Sequence, residues 1–242
     1  MQDLFGNIHS EKPVRVNIYA DEIFTKICLE SNHEWFYIGL IVEDLSNPLL
    51  GDIIKTRFCN NFDESSEYYS KNNKIVHWSE IRSADTKNIC KRWFEYILNP
   101  EKSLKTYYNY ILGINNSRLF KEEFASKDAF GSKYNRFFRS AILYALKTFF
   151  SGKNIIVENI YHEEGPQKHN KYFPWHCIYK LKKRDTVNFK CNDITFLSKD
   201  HKKHKESNIV QLCDCILGVS TSCQWSFKNE PFSVVKSEPL SH

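Results

Sequence analysis

The chain has no Pro/Gly/Ser-rich linker: eight glycines and seven prolines are scattered through 242 residues. That absence argues for one domain over residues 1–225, with a loose tail at 226–242 that contains Pro231 and Pro239. Repeats and low-complexity tracts are absent too. No apolar run is long and uncharged enough to span a bilayer; the nearest, Ser207 to Ser226, is interrupted by Asn208, Gln211, Asp214 and several hydroxyls. The opening residues, MQDLFGNIHSEK, lack a basic stretch followed by an apolar core, so no secretory signal is read and a cytoplasmic, non-membrane protein is expected. The eight cysteines are dispersed, and without a signal they are expected to be reduced and mostly small core residues. Cys213 and Cys215 lie closest, but C-x-C on a helix sends the two side chains apart. No second pair completes the four converging ligands of a structural zinc site. Nor does any Ser, Cys or His sit in a local nucleophile motif, which counts against an enzyme class built on one.

What is present is a folding composition, 41% hydrophobic and 15% aromatic, with a net charge of +5. Two basic runs, Lys180 to Arg184 and Lys199 to Lys205, permit a polyanionic partner; the second includes His201 and His204, read as surface residues. The most informative stretch is Ser207 to Ser226, whose single charged residue is Asp214. At about 100° per residue, Ile209, Leu212, Cys213, Ile216, Val219 and Cys223 gather on one helix face, and Ser207, Gln211, Asp214 and Gly218 on the other. A solvent face would be wide and rich in Lys or Glu. This narrow strip offers a hydroxyl, an amide, a carboxylate and a glycine, which suits an ion or ligand. The plainer alternative is that Ser207 caps the helix and Asp214 is a satisfied polar residue at the core's edge.

Alternation over Val14, Val16, Ile18 and Ala20 predicts a strand with Asp21 and Glu22 at its C-terminal end. Trp35 to Val42, apolar on both faces, predicts a central strand hairpinned to the first. A helix follows from Asn47 to about Phe62, then a short strand at Ile75 to Trp78. An amphipathic helix buries Ile89, Trp93, Phe94 and Ile97, and an aromatic strand covers Leu104 to Ile114. Asp128 is read as the cap of a long helix that ends at Gly152. Lys153 to Asn159 then forms a strand, parallel to the first, with Glu158 at its C-terminal end. A helix at 170–182, a strand pair at Val187 to Cys191 and Ile194 to Leu197, and the Asp214 helix complete an α/β class with a mixed sheet. Ligands of open α/β sheets bind beyond the carboxyl ends of strands, where Asp21 and Glu158 are placed. Acids gathered there repel one another, and oxygen donors in an open, hydrated arrangement favour Mg²⁺ or Mn²⁺.

In order along the chain, Tyr19 to Glu22 (YADE), His77 to Ile81 (HWSEI), Ile155 to Asn159 (IIVEN) and Gln211 to Gly218 (QLCDCILG) resemble the motifs of the domain-of-unknown-function family 3800, of the ribonuclease H-like superfamily. The resemblance spans residues 14–225 and lies in the ordered set rather than in any one motif. Three departures stand out: Ile23 and Phe24 replace a Ser-Gly pair, Glu158 replaces Asp, and His77 replaces Lys. The resemblance implies a ribonuclease H-like mixed central sheet flanked by helices, with Asp21 and Asp214 as metal ligands, Glu158 as a third, and Glu22 or Glu80 as a fourth. It implies Gln211 as a supporting hydrogen-bond partner; His77, His162 and Lys199, by their position near the expected site, are candidates for proton or phosphate contacts, the alternative for each being a structural or surface residue. The expected function is divalent-metal-dependent hydrolysis of phosphodiester bonds in RNA or DNA. The alternative is a catalytically inactive nucleic-acid-binding or scaffold protein of the same fold.

Overall fold

The computed structural model describes residues 12–28, 32–58, 74–99, 107–119, 129–164, 187–200 and 202–226. The helix expected at 170–182, the basic run at 180–184, the Asp128 cap, His201 and the tail beyond Ser226 lie outside them.

The fold is a mixed α/β arrangement in which helices cover both faces of a central six-stranded sheet. Strand β1 (Val14–Cys28) lies at its centre. It pairs antiparallel with β2 (His33–Asp44), which pairs antiparallel with β3 (Tyr107–Asn115). On its other side β1 pairs parallel with β4 (Ile155–Glu163). Strands β5 (Val187–Phe189) and β6 (Thr195–Leu197) both add parallel to β4, one against each half of it. The expected strand pair is therefore two short strands on one edge of β4 rather than partners of each other.

Strand β1 does not end at Asp21. It runs on to Cys28 because β2 pairs along its whole length, with a register shift between Ile23 and Lys26. The parallel ladder to β4 does stop at Ala20 opposite His162, so Asp21 lies just past the last parallel pair.

Strand β4 is longer than expected for a specific reason. Its partners step from Val16 opposite Val157 to Asn17 opposite Asn159, leaving Glu158 as an extra residue in the ladder. Ile155 and Val157 face the same core as Ile160 and His162, so the inward phase slips by one at this bulge. Glu158 thus sits in mid-strand, not at the C-terminal end. That end is occupied by Glu163.

One face of the sheet packs on α3 (Ala129–Phe149), whose Tyr134, Phe138, Ala141, Ile142, Ala145 and Leu146 bury against Val16, Ile18, Ala20, Ile38 and Leu40. The other face carries α1 (Leu50–Arg57), α2 (Ala84–Ile97) and α4 (Ser207–Ser226). Ser83 caps α2 by accepting the Thr86 N–H at 3.2 Å, and Ile89, Trp93 and Phe94 face inward as expected. From Ser207 to Cys215 α4 is buried on every side, so its polar strip meets protein. Among the described residues no helix is long and apolar enough to cross a membrane.

The strand expected at Ile75 to Trp78 is absent: residues 74–77 stay outside the sheet and lead into a 3-10 turn at Trp78–Glu80. Side chains of α4 take the alternate backbone donors that a neighbouring strand would otherwise satisfy: Val76 N–H donates to Gln211 Oε1 at 2.9 Å and Trp78 N–H to Asp214 Oδ2 at 2.6 Å.

The bulge yields a test. Deleting Glu158 leaves Val157 and Asn159 opposite their present partners and restores strict alternation, so that variant should unfold cooperatively with a modestly lowered melting temperature. Deleting Ile160 instead would turn Tyr161 and Glu163 into the apolar α3 face and should abolish folding. Circular dichroism melts of the two proteins check this; equal damage from both deletions would contradict the register.

Candidate metal centre

Three elements converge on the expected acids. Asp21 comes from β1 on the face it shares with Tyr19, Asp214 from the second turn of α4, and the 76–78 segment lies across α4 above them. Asp21 is 5% exposed and Asp214 4%, and their carboxyls are close enough to hydrogen-bond each other. A hydrogen bond between two carboxyls needs a proton that both share. Burial first, then the charges of Asp214 and Glu22, push the Asp21 carboxyl well above the usual carboxylate range. Burial also pushes Asp214 up, opposed by His77, by the Trp78 N–H, by Lys199 and by the bond with Asp21. Burial and these two acids raise the neighbouring Cys213 thiol as well, which keeps it inert.

The polar strip of α4 is filled by the chain itself. Ser207 Oγ donates to the Ser198 carbonyl at 2.7 Å. Gln211 accepts from Val76 N–H and from Arg57 Nη1 at 3.1 Å, and donates through Nε2 to the Lys199 carbonyl at 2.9 Å. Gln211 therefore braces the backbone on both sides of the cleft rather than a carboxylate. Arg57, also buried, donates to Asn208 Oδ1 at 3.0 Å and to the Lys74 carbonyl, and so ties α1 to the same strip. At Gly218 the strip admits an indole: a Cβ there would lie 2.0 Å from Trp78 Cγ.

His77 Nδ1 lies 3.5 Å from Asp214 Oδ2 and 2.8 Å from Ser79 Oγ, with the ring a quarter exposed. Glu163 and Lys199, from the ends of β4 and the turn after β6, pair at 2.7 Å and line one cleft with His77, Gln211 and Asp214. Glu163 is the acid that sequence reasoning missed. Its signal was the Glu163-Glu164 pair closing the run NIYHEE.

The other predicted acids are placed elsewhere. Glu158 Oε1 accepts from Arg15 Nε at 2.7 Å and Lys190 Nζ at 3.1 Å, and these bonds, Arg15's foremost, lower its pKa. Glu22 points to the α3 face, with Oε2 at 2.9 Å from His162 Nε2 and 3.1 Å from the Tyr134 hydroxyl. His162 Nδ1 donates to the Glu163 carbonyl at 2.7 Å, and its Nε2 also lies 2.7 Å from the Tyr134 hydroxyl. Glu80 is exposed on the 3-10 turn.

Among the described residues, no group of three or more His, Cys, Asp or Glu side chains converges as a metal-binding cluster. The donor set at Asp21 and Asp214 nevertheless fits a hard cation: two adjacent, desolvated carboxyls repel when ionised. Mg²⁺ is commonly held by one or two carboxylates, with water and substrate phosphate completing its shell. No family model matches the chain, and no curated protein matches it.

Two outcomes follow. Both acids have raised pKa values, so in metal-free protein their contribution to stability is full below the ordinary carboxylate range and lost as pH rises through the raised values. Asp214→Asn keeps an acceptor for the Trp78 N–H and removes one charge. In EDTA at neutral pH it should melt above the parent, by roughly 2–4 °C for each kcal/mol relieved, with the gap closing in acid. Calorimetry across pH checks this, and a less stable variant at neutral pH contradicts it. Separately, Gly218→Ala must displace the Trp78 indole and should cost about 1–3 kcal/mol in chemical unfolding. An unchanged midpoint would sink the packing argument.

Proposed function

We propose that the protein is a divalent-metal-dependent nuclease of ribonuclease H-like architecture that hydrolyses phosphodiester bonds in RNA or DNA. The observation that carries the reading is the pairing of Asp21 with Asp214, two carboxyls from opposite ends of the chain that burial, above all, pushes above the usual carboxylate range. An apolar pair would serve folding better, since like charges this close oppose ionisation. The sheet order β3-β2-β1-β4-β5, with the acids at the end of the parallel ladder, is consistent with the ribonuclease H-like resemblance.

In this reading Asp21 and Asp214 hold Mg²⁺ or Mn²⁺. Such an ion, when bound, lowers the pKa of an attacking water and offsets charge on the leaving oxygen. The chain does the rest. Trp78 N–H fixes the Asp214 side chain, and burial of Asp21 and Asp214 keeps competing water away from it. His77, beside Asp214 and open to the cleft, is placed to take or deliver a proton. The exposed Lys202, Lys203 and Lys205 follow Lys199 closely in the chain and add positive charge that suits a polyanionic strand. Soluble, cytoplasmic action on nucleic acid belongs to the same proposal.

A second reading, an inactive nucleic-acid-binding scaffold, is favoured by one observation: the α4 strip is filled by the chain's own backbone partners, and among the described residues only two acids meet. Titration calorimetry with Mn²⁺ separates the two. The nuclease binds Mn²⁺, loses that binding in Asp21→Asn, and shows cleavage of labelled RNA or DNA reduced at least about a thousandfold in Asp21→Asn and Asp214→Asn. Salt-dependent binding with neither Mn²⁺ uptake nor turnover would establish the scaffold.

A further inference from the structure

We propose that Lys199 is a phosphate-contacting residue of this site: a fixed cation that meets an oxygen of the scissile phosphodiester while the Asp21–Asp214 pair takes a single divalent ion. The proposal deepens the nuclease reading and rests on it.

Lys199 follows β6 at the end where β4 and β6 both finish, beyond the carboxyl ends of two parallel strands. Its backbone is pinned twice, by Gln211 Nε2 on its own carbonyl and by Ser207 Oγ on the carbonyl before it. These bonds do not involve its side chain, so the ammonium is aimed by the fold and replaceable without unravelling the turn. Nζ lies 2.7 Å from Glu163 Oε1, and its field reaches both Asp21 and Asp214. The side chain is 39% exposed, which places the charge at the mouth of the cleft rather than in the core.

An ion pair that open contributes little to stability, so folding alone does not account for a lysine held at this point. Electrostatics does. Three carboxylates, one ammonium and one divalent ion come to neutrality, and a phosphodiester entering a neutral site is not repelled. Glu163 acts here as a positioning residue that parks the ammonium until phosphate replaces it. A compact, strongly hydrated ammonium suits a phosphate oxygen as a point charge.

Three proteins, the parent, Lys199→Met and Lys199→Arg, test this with two measurements. The first is anisotropy binding of single-stranded RNA and DNA oligonucleotides at a fixed, saturating Mn²⁺ concentration over a range of monovalent salt, with the probe shown intact on denaturing gels. Removing one phosphate contact should flatten the slope of log affinity against log salt by about 0.7 in Lys199→Met, and Lys199→Arg should retain the parental slope. The second is Mn²⁺ calorimetry. Loss of a neighbouring positive charge and release of Glu163 should tighten Mn²⁺ binding several-fold in Lys199→Met, whereas a lysine that merely supports the structure would weaken it. An unchanged salt slope, or weaker Mn²⁺ binding in Lys199→Met, overturns the proposal. Failure of the parent to bind Mn²⁺ would refute the metal-centre reading, and the salt slope would still decide the phosphate contact.

Discussion

The structure turns on a buried carboxylate. Asp214 lies in the interior of α4 with one side against the Asp21 carboxyl and the other accepting a backbone N–H from the 76–78 segment. A charge in that position cannot be discarded into solvent, so it must be shared with a proton, matched by a donor or paired with a cation. The surrounding architecture supplies the first two. From Ser207 to Cys215 helix α4 is buried all round because strands β1 and β2 cover one side and the 76–78 segment, α1 and α2 cover the rest.

Holding two acids together in a low-dielectric interior requires rigid elements, and both faces of the sheet contribute. On the α4 side, Gln211 and Ser207 tie down residues 76, 198 and 199, so that His77 and Lys199 stand on opposite walls of one cleft. On the α3 side, Tyr134, His162 and Glu22 form a closed hydrogen-bonded group directly behind Asp21. Glu22 and Asp21 are neighbours in sequence, yet the pleat sends them to opposite faces and gives them different work. One is bonded to a histidine and a tyrosine in the core, while the other is left against a second carboxyl. Conformational strain is not needed to explain this arrangement; alternation along a strand is enough.

Much of this was legible from residues alone. Strict alternation from Val14 to Ala20 marked β1, the uninterrupted apolar run marked β2, and a lone acid in an apolar helix singled out Asp214. Strand-end logic set Asp21 beside Glu158, although β1 itself continues to Cys28; the pairing of Asp21 with Asp214 came from the family resemblance alone. What was illegible depended on pairing between distant segments. The bulge at Glu158 breaks alternation, so the strand read as finished four residues early, and Glu158 was taken for the acid that Glu163 provides by position. The α4 strip looked like a ligand surface because its partners, the N–H groups of Val76 and Trp78, lie more than a hundred residues away and carry no sequence mark. Backbone donors are the same in every residue, and only the fold shows which are spent on side chains.

The most direct test of the account is a crystal structure of the protein grown with Mn²⁺ and measured at a wavelength where manganese scatters anomalously. The account predicts one strong anomalous peak within coordination distance of both the Asp21 and Asp214 carboxylates, with Lys199 and His77 facing it across the cleft. Carboxyls still bonded to each other, with no peak beside them at saturating Mn²⁺, would contradict it.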